Sequence, residues 1–192
     1  MKKITVLIIG ILHIVFVSGQ TYSSIISDKE IYDFLTWMSY NGERYKEEPK
    51  PKKAQIYHKI LEWEITNFIP EDSTLINKYN FDIDVKYIYN RRAKTDSLFQ
   101  EEDRHFILEQ FKAIKDSVWH RQFTTAKLLK DKQSTNKYYY YSIPLFSVDR
   151  KYVIVSRVFY CGNLCAYGGY YLYRKTGENS WEYVTTVHGW IS

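Results

Sequence analysis

Cys161 and Cys165 are the only two cysteines in the 192 residues, and three residues lie between them. That spacing allows three chemistries: a disulfide, a redox-active dithiol, or part of a metal site. A redox pair is expected at two intervening residues where a helix begins, whereas this pair follows the Val- and Ile-rich run 152–160. Zinc needs two further ligands, and His120 and His188 are the nearest in sequence. A tight turn can bring two α-carbons within the roughly 4.4–6.8 Å that a disulfide requires, and Gly162 supplies backbone freedom for it. The spacing therefore predicts a structural disulfide, Cys161–Cys165. For so small a loop chain entropy contributes about 2 kcal/mol.

The remaining polar groups form no catalytic set. Glu101, Glu102, Asp103 and His105 crowd together, but a zinc protease wants two histidines four apart with a glutamate between them. Acidic groups there are better explained as complements to the positive end of a helix dipole. Asp82 and Asp84 alternate along a strand-like run, and calcium would ask for six or more oxygens. His58 and His105 fall in helical patterns, and His188 can meet Asp149 only if the strand register brings them together. No serine sits in a G-x-S-x-G turn. Gly168-Gly169 precedes a strand, the reverse of the strand-to-helix order of a phosphate cradle. No catalytic residue, no metal ligand and no cofactor is predicted.

The elements that would position these groups begin after an export signal. Met1-Lys2-Lys3 is followed by an apolar run to Val17 and a small-residue site at Val17-Ser18-Gly19, so cleavage is expected after residue 19. The run is short for a membrane span of about 20 residues. Residues 20–192 are then one α+β domain, placed in the periplasm or outside the cell, with a helical part over about 27–118 and a sheet part over about 123–190. Without Lys2 and Lys3 the balance is 25 basic against 22 acidic residues. That net charge of +3 is too dispersed for nucleic acid, which selects basic residues gathered on one face.

Ser27-Asp28-Lys29-Glu30 has the form of a capping box, and the spacing of Ile31, Phe34, Leu35 and Met38 predicts a helix ending at Asn41-Gly42. The charged stretch 43–53, with Pro49 and Pro51, reads as an exposed linker. Ile56, Ile60, Leu61, Trp63, Ile65 and Phe68 predict a second, well-buried helix over 54–68, stopped by Pro70. Alternation over 81–89 suggests a strand, and a third helix is expected over 100–117. Strands then follow: an edge strand at 124–129, one at 138–146 broken near Pro144, a turn at 147–150, and 152–160, 170–175 and 181–188 as an antiparallel meander.

Tyrosine is the compositional outlier, with 19 residues. Alternation puts Tyr171 and Tyr173 on one face of their strand and Tyr170 and Leu172 on the other. Tyr167, Tyr171 and Tyr173 are the candidate binding surface: exposed, they would offer flat aromatic contacts to a sugar ring or extended peptide. Buried, they would be core.

Ser142-Ile143-Pro144-Leu145-Phe146-Ser147-Val148-Asp149, followed by Cys161-Gly162-Asn163-Leu164-Cys165 and a Gly-Gly strand, resembles a group of exported bacterial proteins of unknown function. The resemblance covers roughly the last third of the chain and implies no activity. Ala166-Tyr167 stands where the resemblance leads one to expect more glycine. The element order also looks like the cone-shaped fold of nuclear-transport-factor-like domains, which hosts both enzymes and binders. Three functional expectations result. The first is a non-catalytic binding or interaction domain for a glycan, a peptide or another envelope protein. The second is a small cone-fold enzyme using a pocket carboxylate or histidine, and the third is a thiol–disulfide protein.

Overall fold

The computed structural model describes residues 20–41, 54–63, 98–120, 126–131, 137–162 and 165–191. The expected export signal, the linker at 43–53, the end of the predicted helix at 64–68, the strand at 81–89, the start of the edge strand at 124–125 and residues 163–164 between the cysteines lie outside these residues. Among the described residues none forms a helix long and apolar enough to cross a membrane.

Helix α1, Asp28–Asn41, begins at the capping box that its sequence announces. The Ser27 amide donates to Glu30 Oε2 at 3.2 Å, and the Glu30 amide donates to Ser27 Oγ at 3.2 Å, so two otherwise orphaned donors are satisfied reciprocally. Its apolar stripe of Ile31, Phe34, Leu35 and Met38 is at most 1% exposed. Helix α2, Glu101–Lys112, is shorter than the 100–117 expected. Asp103 closes its first turn by accepting from the Gln100 amide at 3.1 Å.

The sheet has seven strands among the described residues: β1 Ala54–Tyr57, β2 Ala126–Leu129, β3 Tyr138–Tyr141, β4 Leu145–Phe146, β5 Tyr152–Gly162, β6 Cys165–Gly177 and β7 Ser180–Ile191. Their order is β2-β1-β3-β5-β6-β7, with β4 also paired to β5. The antiparallel meander from β5 through β7 is present, and β2 lies at one end of the described strands.

The predicted helix over 54–68 is corrected at its start. Ala54–Tyr57 is a strand that pairs parallel with β2 on one side and with β3 on the other, and residues 58–63 follow without helical structure. A short apolar run buried on both faces has the same composition as a buried helix, and periodicity cannot separate them. Backbone partners from far along the chain decide the matter here. The helical part thus contributes a strand to the sheet, and β2 and β3 are not neighbours but flank β1.

A helical half followed by a sheet half suggests helices packed on one face of the sheet, and this is corrected as well: the sheet is buried on both faces. Strand alternation sends Val153, Val155, Tyr171 and Tyr173 into one cluster with α1, and Ile154, Tyr170 and Leu172 into another with Trp63, Phe99 and Ile107 of α2. A strand covered on both sides reads as a continuous apolar run, which is what residues 170–173 show.

Candidate functional site

Four consecutive tyrosines make up β3, and alternation divides them. Tyr139 and Tyr141 face the α1 side, with rings stacked at 5.7 Å. Tyr138 turns to the other side, where it stacks on Tyr160 at 4.8 Å and meets Tyr57 at 5.8 Å. Tyr140 also lies against Tyr57, and its hydroxyl donates to the Ile60 carbonyl at 3.2 Å. The end of the sheet nearest the cysteines is therefore aromatic on both faces.

On the α1 face the register aligns side chains across the strands. Ile56 pairs with Tyr139, Tyr139 with Phe159, Phe159 with Tyr167, and Tyr167 with Ile191. Ring centroids in this row stand 4.7 Å apart between Tyr139 and Phe159 and 5.3 Å apart between Phe159 and Tyr167. All three rings are half-buried, and the row ends at Ile191, which is 88% exposed. Cross-strand aromatic pairs of this kind stabilise the sheet and also leave ring area at the surface.

The next row inward is Tyr141, Arg157, Gly169 and Gly189. Arg157 is only 1% exposed, and its guanidinium lies 4.2 Å from the centre of the Tyr171 ring. A weakly hydrated, planar cation stacks well on an aromatic face. Burial pushes the Tyr141 phenol well above its ordinary range, and the Arg157 charge opposes that only in part.

Of the residues proposed from sequence as a binding surface, Tyr167 alone is half-exposed. Tyr171 and Tyr173 are 5% and 1% exposed and belong to the core. Alternation does put the two on one face, and it is the cover from α1 that buries them. Phe34 of α1 packs edge-on against Tyr173 at 5.6 Å, and Trp37 does so at 5.6 Å from the next turn. Tyr139 and Phe159, which sequence alone does not single out, join Tyr167 instead. The alternating tyrosine run carried half of that signal, but which rings meet depends on register between distant strands.

Cys161 and Cys165 stand at disulfide distance, with α-carbons 5.2 Å apart. The β5–β6 register shifts by one residue between Tyr160 and Gly162, and Gly162 has φ 131°, a conformation for which glycine is the ordinary choice. The pair closes the ladder two rungs beyond Phe159–Tyr167.

Among the described residues, Asp149, His58 and Asp116 each have hydrogen-bonded partners. Asp149 sits in the turn between β4 and β5, where it accepts from Ser147 Oγ at 2.8 Å and from the Lys151 amide at 2.9 Å. The Lys151 ammonium is foremost in holding its carboxyl down at about 2, against the opposing effect of burial. His58 lies in the loop after β1 rather than on a helix, with Nδ1 3.0 Å from the Leu129 carbonyl. A cavity of about 470 Å³ opens between Ile60–Trp63 and the end of α2 with the chain that follows it, lined in part by Phe111, Ile114 and Asp116. His120 bonds Asp116 at 2.6 Å and holds its carboxyl below the usual range. That fixes a carboxylate where a general acid would need the opposite shift.

No protein-family model, no curated protein and no solved structure matches the chain.

Proposed function

We propose that the chain is an exported, non-catalytic binding domain whose contact surface is the row Tyr139, Phe159 and Tyr167. The observation that carries this reading is the half-buried aromatic row itself, continuous over three strands on one face. Rigid rings give contact area at low entropic cost, and each tyrosine adds a hydroxyl at its rim. The row crosses the strands instead of following a sheet edge, so its rings cannot add a peptide by backbone pairing. Stacking against the apolar face of a sugar ring is the contact it suits. Export is supported by the Met1–Gly19 pattern and by the cysteine pair at disulfide distance, which persists in oxidising compartments.

The test is a titration of the purified chain with cellohexaose and chitohexaose, followed by intrinsic fluorescence, with an extended apolar peptide in parallel. Saturable binding of an oligosaccharide is expected, weakened about tenfold by Tyr139→Ala or Tyr167→Ala, equivalent to about 1.4 kcal/mol. Preference for the peptide, or variants that bind the sugar as well as the original chain does, would sink the reading.

A further inference from the structure

We propose that the Cys161–Cys165 bond is a redox-sensitive latch on this row: opening it frees Tyr167 from Phe159 while the core under α1 stays folded. The inference rests on the binding role just given to the row, because only then does releasing Tyr167 change function.

Tyr167 is held between two unequal supports. Toward the hairpin tip come Ala166 and then Cys165, tied to Cys161. Toward the core come Gly168 and Gly169, before the buried run Tyr170–Tyr173. Glycine weakens a strand interior, because it loses the most freedom on folding and brings no side chain to pack. At Gly168 that absence is required, since a Cβ would lie 2.8 Å from Val158 Cγ2 and 2.9 Å from the Arg157 carbonyl oxygen. The segment Cys165–Tyr167 is therefore joined to the core through two residues held by backbone pairing alone, Gly168 to Val158 and Trp190 and Gly169 to Arg157 and Gly189.

The two strands of the hairpin differ in what else holds them. The end of β5 is fastened to β3 by the Tyr138–Tyr160 stack and by Phe159 against Tyr139. On the other side of β6, Tyr167 pairs with Ile191 of β7, which is 88% exposed, and Gly168 pairs with Trp190, which is 40% exposed. Opening the bond thus loosens β6 selectively, and Tyr167 leaves with it.

Cys165 is the exposed member of the pair and Cys161 is half-buried. A dithiol reductant attacks Cys165 Sγ as a thiolate, the S–S bond breaks, and Cys161 leaves as a thiolate and takes a proton. The second thiolate of the reductant then displaces Cys165 from the mixed disulfide. The reductant departs as a disulfide, and two electrons and two protons have passed to the protein.

Amide hydrogen exchange on the full chain tests this in three forms: oxidised, reduced with dithiothreitol, and Cys161→Ser/Cys165→Ser. Exchange at Ala166 and Tyr167 should quicken about tenfold or more in the latter two, with Val153–Val155 and Tyr171–Tyr173 unchanged. Unchanged exchange at Ala166 and Tyr167 overturns the latch. Faster exchange throughout the sheet also overturns it, since the bond would then hold the whole fold. Binding of the oligosaccharide should fall by a similar factor on reduction. Tyr139→Ala, which keeps the bond, separates the two ideas: if it leaves binding intact, the binding reading fails even where the exchange pattern holds.

Discussion

The side-chain amide of Gln110 grips both backbone groups of Phe146. Its Nε2 donates to the Phe146 carbonyl at 2.6 Å, and the Phe146 amide donates to Oε1 at 2.8 Å. A neighbouring strand would offer the same donor and acceptor, so α2 closes the outer edge of β4 with one side chain. Asp103 extends the closure by accepting from the Val148 amide at 2.9 Å.

Gln110→Ala should therefore leave a buried N–H and a buried C=O without partners, at a cost on the order of 3 kcal/mol. Gln110→Glu should also destabilise at neutral pH, because a carboxylate cannot donate to the Phe146 carbonyl. Its deficit should shrink as acid protonates the new carboxyl and restores a donor. Urea unfolding at several pH values measures both effects. A Glu variant as stable as the original chain at pH 7 would show that the clamp contributes nothing.

The glycines divide by what surrounds them. Gly168→Ala forces a Cβ against Val158, a backbone oxygen and Trp190 Cζ2 at 3.0 Å, and should cost about 1–3 kcal/mol through overpacking. It should also shift the emission of Trp190. At Gly189 the nearest atoms would be Thr186 Cγ2 at 3.3 Å and the Gly168 carbonyl oxygen at 3.7 Å. A methyl group can give by a few tenths of an ångström, so Gly189→Ala should cost well under about 1 kcal/mol. Equal melting temperatures for the two variants would contradict this.

Tyr173→Ala should cost about 3–5 kcal/mol, as large aromatic truncations in a packed core do. The ring is 1% exposed and wedged against Phe34 and Trp37. Tyr167→Ala should stay within about 1 kcal/mol of the original chain. The contrast matters for binding measurements, because only the second variant reports on the surface with the fold intact.

Asp149 gives a pH dependence with a definite sign. Its carboxyl is lowered to about 2 from an ordinary 3.8, so the folded state favours the ionised form. The stabilisation is present above about pH 4 and is lost as pH falls through about 2. Much of the carboxylate is exposed, so the ion-pair share is modest, about 0–1 kcal/mol. Asp149→Asn should melt lower than the original chain at pH 7 and converge with it near pH 2. A constant gap across that range would assign the loss to geometry alone.

Local signals were readable wherever they were sufficient. The Ser27–Glu30 box fixed the start of α1, and the alternation of 170–173 assigned each tyrosine to its face before its cover was known. What sequence left open depends on pairing between distant segments. Ala54–Tyr57 looked helical because its partners, β2 and β3, come from far along the chain. Tyr171 and Tyr173 could be placed on one face, but only the seating of Phe34 and Trp37 buries them. The contact row was half visible in the tyrosine run of β3, since Phe159 and Tyr167 join Tyr139 through register alone.

The position of β1 has a consequence for how the molecule assembles. Ala54 finds Ala126, and Ile56 finds Tyr139, so β1 is synthesised long before either partner exists. Until they arrive, Ile56 and Tyr57 belong to an open strand with two unpaired edges, the kind of segment that invites aggregation. The β5–β6–β7 hairpins close locally and can form early, whereas inserting β1 requires two distant chain closures and should be the slow step of folding.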